Sequence, residues 1–159
     1  MRAAAVMIRI AHAPFDPQTA ARSFAEMFAG SGAVVTFLGQ VRDEAGSVDR
    51  LLLEHYPGFA ERGINDAAAE ACRRWPLDSV VIVHRTGSLA PREPIVFAAA
   101  ASARRRAALV AVDFLMDHLK CDAPFWMQEV CDGEACWIEP RAEDYKDKAR
   151  WAAREATES

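Results

Sequence analysis

Asp117-His118-Leu119-Lys120-Cys121-Asp122-Ala123-Pro124-Phe125-Trp126-Met127-Gln128-Glu129 carries the chain from a helical pattern into a strand pattern. Ahead of it, Leu109, Val112, Leu115, Met116 and Leu119 recur at helical spacing. The helix cannot run comfortably through Pro124, because proline lacks the N–H and pushes the preceding residue toward extended geometry. Phe125 to Val130 and Cys136 to Glu139 then bracket Asp132-Gly133-Glu134, a composition that folds two strands into a hairpin. Lys120 is left near a helix C-terminus, at the mouth of a turn walled by Phe125 and Trp126. A lysine in the last turn meets the negative end of the helix macrodipole. The same position also suits a fixed cation for a ligand, or an amine tuned for chemistry.

Asp16 followed by Pro17 reads as an N-cap with proline at the first helical position. Ala20, Phe24 and Phe28 continue that helix up to Gly30. Gly32 to Val41 reads as a largely buried strand, and Arg42 to Asp49 as a polar loop. Leu51 to Tyr56 is a second strand, closed by Pro57-Gly58, and Ala60 to Trp75 an alanine-rich helix that stops before Pro76. Ser79 to Arg85 and Ile95 to Ala101 are further strands, separated by a stretch punctuated with glycine and proline. Arg104 to Lys120 is the second long helix, and Ala142 to Glu155 a charged segment that is helical if it docks on something. Hairpin-like strand pairs mixed with helices define an α+β chain rather than a doubly wound one. At 159 residues the chain is expected to be one domain, 1–159, with 142–159 a C-terminal tail that orders on a partner.

Hydrophobic residues make up 52% of the chain, enough for a sizeable core. The net charge of −4 argues against a general binder of nucleic acid or membrane surfaces, so any anionic ligand must be held by a local cluster of cations. No apolar run approaches a membrane span, and Met1 to Ile8 is soon broken by Arg9 and His12, which argues against a signal peptide. Cys72, Cys121, Cys131 and Cys136 form no CxxC pair and no zinc spacing, so no metal is expected, and a cytoplasmic chain with reduced thiols fits. Cys131 and Cys136 flank the hairpin turn and are candidates to face each other across it, although coincidence accounts for that spacing as well. Cys121, beside Lys120, is either a low-pKa thiol or a tolerated buried cysteine.

Three cationic spots stand out: Arg42 after the first buried strand, Arg104-Arg105-Arg106 at the start of the second long helix, and Lys120 at its far end. Cations at a helix N-terminus oppose the macrodipole, so either an acidic neighbour compensates or an anion sits there. No GxGxxG, P-loop, HExxH or GxSxG competes for the chemistry. His55 and His84 lie in strand patterns and read as structural.

Read in order, these segments resemble the MoaE family, the large catalytic subunits of molybdopterin synthase. The resemblance is carried by Gly32 to Arg42, Leu53-Glu54-His55-Tyr56-Pro57-Gly58, His84-Arg85-Thr86-Gly87, the Lys120 segment through Phe125-Trp126, and Arg141 with Lys148-Ala149-Arg150-Trp151. It implies an α/β hammerhead fold with an additional antiparallel β-subdomain, assembled as a homodimer. It implies a partner, a small ubiquitin-like sulfur-carrier subunit whose C-terminal Gly-Gly tail is a thiocarboxylate, and a substrate, cyclic pyranopterin monophosphate, converted to molybdopterin in molybdenum cofactor biosynthesis. No cofactor is implied. The family's substrate contacts fall on Gln40, Val41, Arg42, Arg104, Arg105, Lys120, Met127, Gln128 and Glu129, with Arg141 a contributor across the dimer and Lys120 the catalytic group. These cations are expected to gather around one hollow that receives the phosphate and the thiocarboxylate.

The sequence departs from the family pattern at three positions. Met127 stands where the family has a second lysine, Gln40 where a basic residue is common, and Arg104 where a histidine is usual. Methionine neither donates a proton nor pairs with an anion. Losing a charge-assisted contact in a pocket costs roughly 1.5–3 kcal/mol. The alternative reading is therefore a catalytically impaired homolog that serves as a carrier-binding or dimeric scaffold module.

Overall fold

A computed structural model describes residues 2–43, 45–122 and 125–157. The elements run β1 (Ala5–Ala11), α1 (Pro17–Met27), β2 (Ala33–Gln40), β3 (Arg50–His55), α2 (Phe59–Arg74), β4 (Ser79–Arg85), β5 (Gly87–Leu89), β6 (Pro94–Ser102), α3 (Arg105–Asp122), β7 (Phe125–Cys131), β8 (Glu134–Ile138) and α4 (Ala142–Thr157). Ala123 and Pro124, on which the helix-ending argument rests, lie outside the described residues. The fold is α+β, as the mixed pattern predicts.

One sheet has the order β1-β4-β6-β2. β1 runs parallel to β4, and β6 is antiparallel to both β4 and β2. Alternate residues of β4 and β6 face opposite sides, as pleated strands require. Val80, Ile82, Ala98 and Ala100 meet α2 and α3 on one side. Val83, Phe97, Ala99 and Ala101 meet Phe24 of α1 on the other. The four alanines of β6, Ala98 to Ala101, are fully buried between these layers. Asp16 caps α1 as expected, accepting from the Gln18 N–H at 3.0 Å.

The second sheet is antiparallel throughout, in the order β5-β3-β7-β8. It is the additional subdomain, with its own small core of Val41, Leu51, Leu53 and Leu89. Phe125, Met127 and Ile138 pack against that core from β7 and β8.

Two strands escaped the sequence reading. β1 is an edge strand whose alternating Val6, Ile8 and Ile10 carry a strand pattern, with Ile8 and Ile10 packed on the core, and weighing the segment only as a leader misses that signal. β5 has only three residues and sits in the glycine-punctuated stretch. The hairpin register pairs Cys131 with Glu134 and Cys136 with Glu129, so the two cysteines are staggered rather than opposed. Among the described residues, no helix is long and apolar enough to cross a membrane.

The charged C-terminal segment docks on α3 of its own chain. Trp151 is 1% exposed and lies edge-on to Phe114 and Trp75, with ring centres 5.4 and 5.8 Å away. Its Nε1 donates to Asp117 Oδ2 at 2.7 Å. Arg150 Nη2 reaches Asp113 at 2.7 Å and Asp117 at 2.8 Å, and Lys148 Nζ reaches Asp122 at 2.6 Å. One buried indole thus anchors α4 while its cations collect the acidic groups of α3. Trp151→Ala is expected to cost about 3–5 kcal/mol in urea unfolding, the usual range for truncating a buried aromatic. A loss below about 1 kcal/mol would show that α4 adds little to the folded core.

Candidate active site

The end of α3, β4, β7 and the approach to α4 enclose a cavity of about 260 Å³. Lys120 comes from the last turn of α3, His84 from β4, Phe125 and Met127 from β7, and Glu139 and Tyr145 from the far side. A wider hollow of about 650 Å³ shares the Phe125, Met127 and Tyr145 wall and adds the exposed rings of Trp126 and Trp137. A separate hollow of about 590 Å³ lies between α1 and β1. None of the predicted site residues borders it.

Lys120 is exposed and makes no ion pair with any described residue. Asp117, three residues back, is occupied by Arg150 and Trp151, and Asp122 by Lys148. The docking of α4 therefore occupies Asp117, the carboxylate one turn away that is spaced to pair with the Lys120 ammonium. Cys121 borders the same cavity, but burial and the neighbouring Asp122 push its thiol up, which removes the low-pKa reading.

The other predicted site residues divide into two groups. Gln40, Val41 and Arg42 leave β2 at the end nearest β7. A register shift between Gly39 and Gln40 redirects the strand there, and a side chain on Gly39 would meet Val96 Cγ1 at 2.8 Å. Gln40 and Arg42 are exposed. Val41 is 5% exposed, and its N–H and C=O are bound to Glu93 and Arg92, so it shapes the subdomain core. Met127, Gln128 and Glu129 do not share a face, since successive strand residues alternate. Met127 points into the apolar core with Phe125, and Glu129 accepts from Cys131 Sγ at 3.3 Å. Arg141 is exposed beside Pro140, which borders the cavity, and its N–H donates to Asp144 Oδ2 at 2.7 Å.

Arg104 and Arg105 form the second group. They sit at the start of α3, beside the Ala33 end of β2, which pairs with Ser102. Fifteen residues of helix separate Arg105 from Lys120, about 22 Å at the α-helical rise. A single chain therefore does not bring all of the predicted cations around one hollow. The rigid helix between them keeps them apart.

The strand pattern around His84 reads as structural, yet the residue borders the cavity. It is 6% exposed and stacks on Phe125 with ring centres 3.9 Å apart at 10°. Its Nδ1 lies 2.8 Å from the Arg85 carbonyl oxygen. Burial holds its pKa at about 4, with the Arg85 hydrogen bond opposing that shift and His55 adding to it. The available signal was position: His84 closes a strand just before the Gly87 turn, where strand ends present side chains to ligands. Arg85 points to the opposite face. It is 3% exposed, its Nε and Nη1 have no hydrogen-bond partner, and Glu93 lies 3.9 Å from Nη1.

The chain is a layered α+β domain with an antiparallel subdomain, and it sets a lysine without an ion-pair partner among the described residues beside a cavity. The MoaE protein family model matches residues 10–122, and the chain belongs to that family. The molybdopterin synthase catalytic subunit of Cereibacter sphaeroides is 46% identical over 138 residues, covering 87% of this chain and 94% of that protein. The molybdopterin biosynthesis MoaE protein of Burkholderia ambifaria has the same fold, with a TM-score of 0.79 at 38% identity over 92% of this chain and 98% of that one. A chain from the complex of subunits 1 and 2 of molybdopterin-converting factor from Helicobacter pylori shares the fold at 17% identity, with a TM-score of 0.73 over 84% of this chain and 91% of that one.

The buried His84 predicts a pH dependence of stability. Its ordinary pKa is 6.5 and its folded value about 4. Between those values the unfolded chain binds a proton that the folded chain does not, so stability falls as pH drops through that window. The full effect is about 3 kcal/mol. In urea unfolding at pH 7 and pH 4.5, His84→Gln is expected to lose less stability on acidification than wild type. Equal losses would place the titrating group elsewhere.

Proposed function

We propose that this chain is the sulfur-transferring catalytic subunit of a molybdopterin synthase, working in the cytoplasm on cyclic pyranopterin monophosphate. The observation that carries this reading is the unpaired Lys120 at the mouth of an apolar-walled cavity, in a chain of this family. The partner in this reading is a small carrier subunit ending in a thiocarboxylate; that the Helicobacter pylori protein is found in a complex of two subunits is in keeping with a second subunit. The thiocarboxylate sulfur attacks a substrate carbon, a C–S bond forms, and the C–O bond at that carbon breaks. The Lys120 ammonium orients the sulfur, stabilises the developing charge and gives a proton to the departing oxygen. Water then cleaves the acyl–sulfur link, which returns the carrier as a carboxylate and leaves the sulfur on the substrate. A second carrier repeats the transfer.

The arginines of α3 enter through a second copy. β2 is the outer strand of its sheet and exposes Phe37 and Leu38 at 39% and 38%, with Leu109 of α3 52% exposed nearby. Two copies meeting antiparallel along β2 bring the Ala33 end of one to the Gln40 end of the other. The eight residues of β2 span about 27 Å, close to the separation along α3 that has to be bridged. Arg104 and Arg105 of one copy then approach Gln40, Arg42 and Lys120 of the other. This arrangement is isologous, so it builds two equal sites.

The scaffold alternative is disfavoured by the relatives, which are named as catalytic subunits. Met127 sits among Phe125, Leu53 and Ile138, where a thioether packs without cost. In a reconstituted assay with thiocarboxylated carrier, Lys120→Ala is expected to lose at least about 100-fold in rate; wild-type turnover would overturn the mechanism. Met127→Lys is expected to gain no more than about threefold over wild type, whereas a gain above about tenfold would favour the impaired scaffold. Coexpressed Lys120→Ala and Arg105→Ala chains should recover about a quarter of wild-type activity, because mixed dimers hold one intact site. No recovery would place Lys120 and Arg105 in separate functions.

A further inference from the structure

The His84-Arg85-Thr86-Gly87 segment is not used by the mechanism above, although His84 borders the Lys120 cavity. The tautomer of His84 follows from its neighbours. A carbonyl oxygen only accepts, so the Nδ1 that lies 2.8 Å from the Arg85 oxygen carries the proton. In the neutral ring, Nε2 is then a bare acceptor. It has no partner among the described residues, and unlike Nε and Nη1 of Arg85 it is not a sealed, orphaned atom. The ring cannot easily turn away, because it is stacked on Phe125 and held from behind by the Arg85 carbonyl. Burial keeps it neutral at working pH.

We infer that His84 is a substrate-recognition residue whose Nε2 accepts a hydrogen bond from an N–H or O–H of the heterocyclic part of the substrate. This rests on the proposed synthase reading. The two anionic groups of the reaction, phosphate and thiocarboxylate, offer lone pairs and no proton, so an acceptor-only nitrogen repels both. Lys120 and His84 therefore sort the ligands: the ammonium draws the anionic ends, and the imidazole takes a neutral donor edge. The cavity holds both at fixed positions, because one stands on a helix end and the other on a buried strand. Met127 and Phe125 supply apolar wall between them and exclude water that would compete for Nε2.

The test compares three proteins in the reconstituted assay: wild type, His84→Phe and His84→Gln. Phenylalanine keeps a ring against Phe125 but has no acceptor, and glutamine keeps an amide oxygen near the place of Nε2. His84→Phe is expected to raise KM for the pyranopterin about three- to tenfold, the loss of one neutral hydrogen bond, with KM for the carrier unchanged. His84→Gln is expected to recover at least half of that loss. A rise in carrier KM alone would assign Nε2 to a peptide N–H of the carrier tail and overturn the inference. Unchanged KM values for both ligands would overturn it as well. Wild type carries a second readout that does not depend on the variants folding. In protein with 15N-labelled histidine, saturating pyranopterin should move the His84 Nε2 resonance upfield toward a hydrogen-bonded value, and an unmoved signal contradicts the assignment. Wild type that fails to turn over sulfur at all would instead sink the synthase reading, so the two failures are distinct.

Discussion

The length of α3 is the constraint from which the functional architecture follows. Its eighteen residues are a rod of about 27 Å with Arg105 at one end and Lys120 at the other. β2 lies along the same direction and carries Gln40 at the Lys120 end and Ala33 at the arginine end. No side chain spans that gap, and a packed helix does not shorten. Charge can be concentrated around one ligand only if a second copy turns the arginine end toward the lysine end. The exposed edge of β2, with Phe37 and Leu38 in contact with solvent, is the surface suited to that approach. In the proposed composite site, a chain of net charge −4 would meet anions through cations drawn from two copies.

The second determinant is electrostatic and comes from the C-terminal helix. α3 carries Asp117 one turn before Lys120, a spacing at which a carboxylate would pair with the ammonium if left alone, and Asp113 and Asp122 further along the helix. Arg150, Trp151 and Lys148 take up those carboxylates instead. The energy of the exposed pairs is small, since solvent screens them. Their positional effect is specific: Arg150 and Trp151 occupy Asp117, the carboxylate one turn from Lys120. The buried Trp151 holds this pattern in register, packed edge-on against Phe114 and Trp75.

The sequence made the α+β class, the helices and most of the strands legible, because burial alternation, Pro17, Pro76 and Gly58 punctuate them. It also singled out Lys120 and the arginines by charge and by resemblance. The missing parts have physical reasons. β1 did carry a signal, the alternation of Val6, Ile8 and Ile10 with Ile8 and Ile10 on the core, but it is only half-buried at the sheet edge and was passed over. The separation of Arg105 from Lys120 was legible, since both were placed at opposite ends of one helix, but residue-by-residue matching to the family did not carry that length into the expected single hollow. The division of Met127 and Gln128 between two faces depends on strand alternation in β7. His84 was hidden because a histidine in a buried strand looks structural until the cavity beside it is seen. The partner of the α4 segment was equally invisible, since neither Trp151 nor Arg150 names the helix it will meet.

The central claim is that the site is assembled from two copies of this chain. A crystal structure of the dimer soaked with inorganic phosphate tests it most directly. The account predicts phosphate in the cavity bordered by Lys120, with Arg105 of the other copy within ion-pairing distance of the same ion. Phosphate held by Arg104 and Arg105 alone, about 20 Å or more from any Lys120, would contradict it.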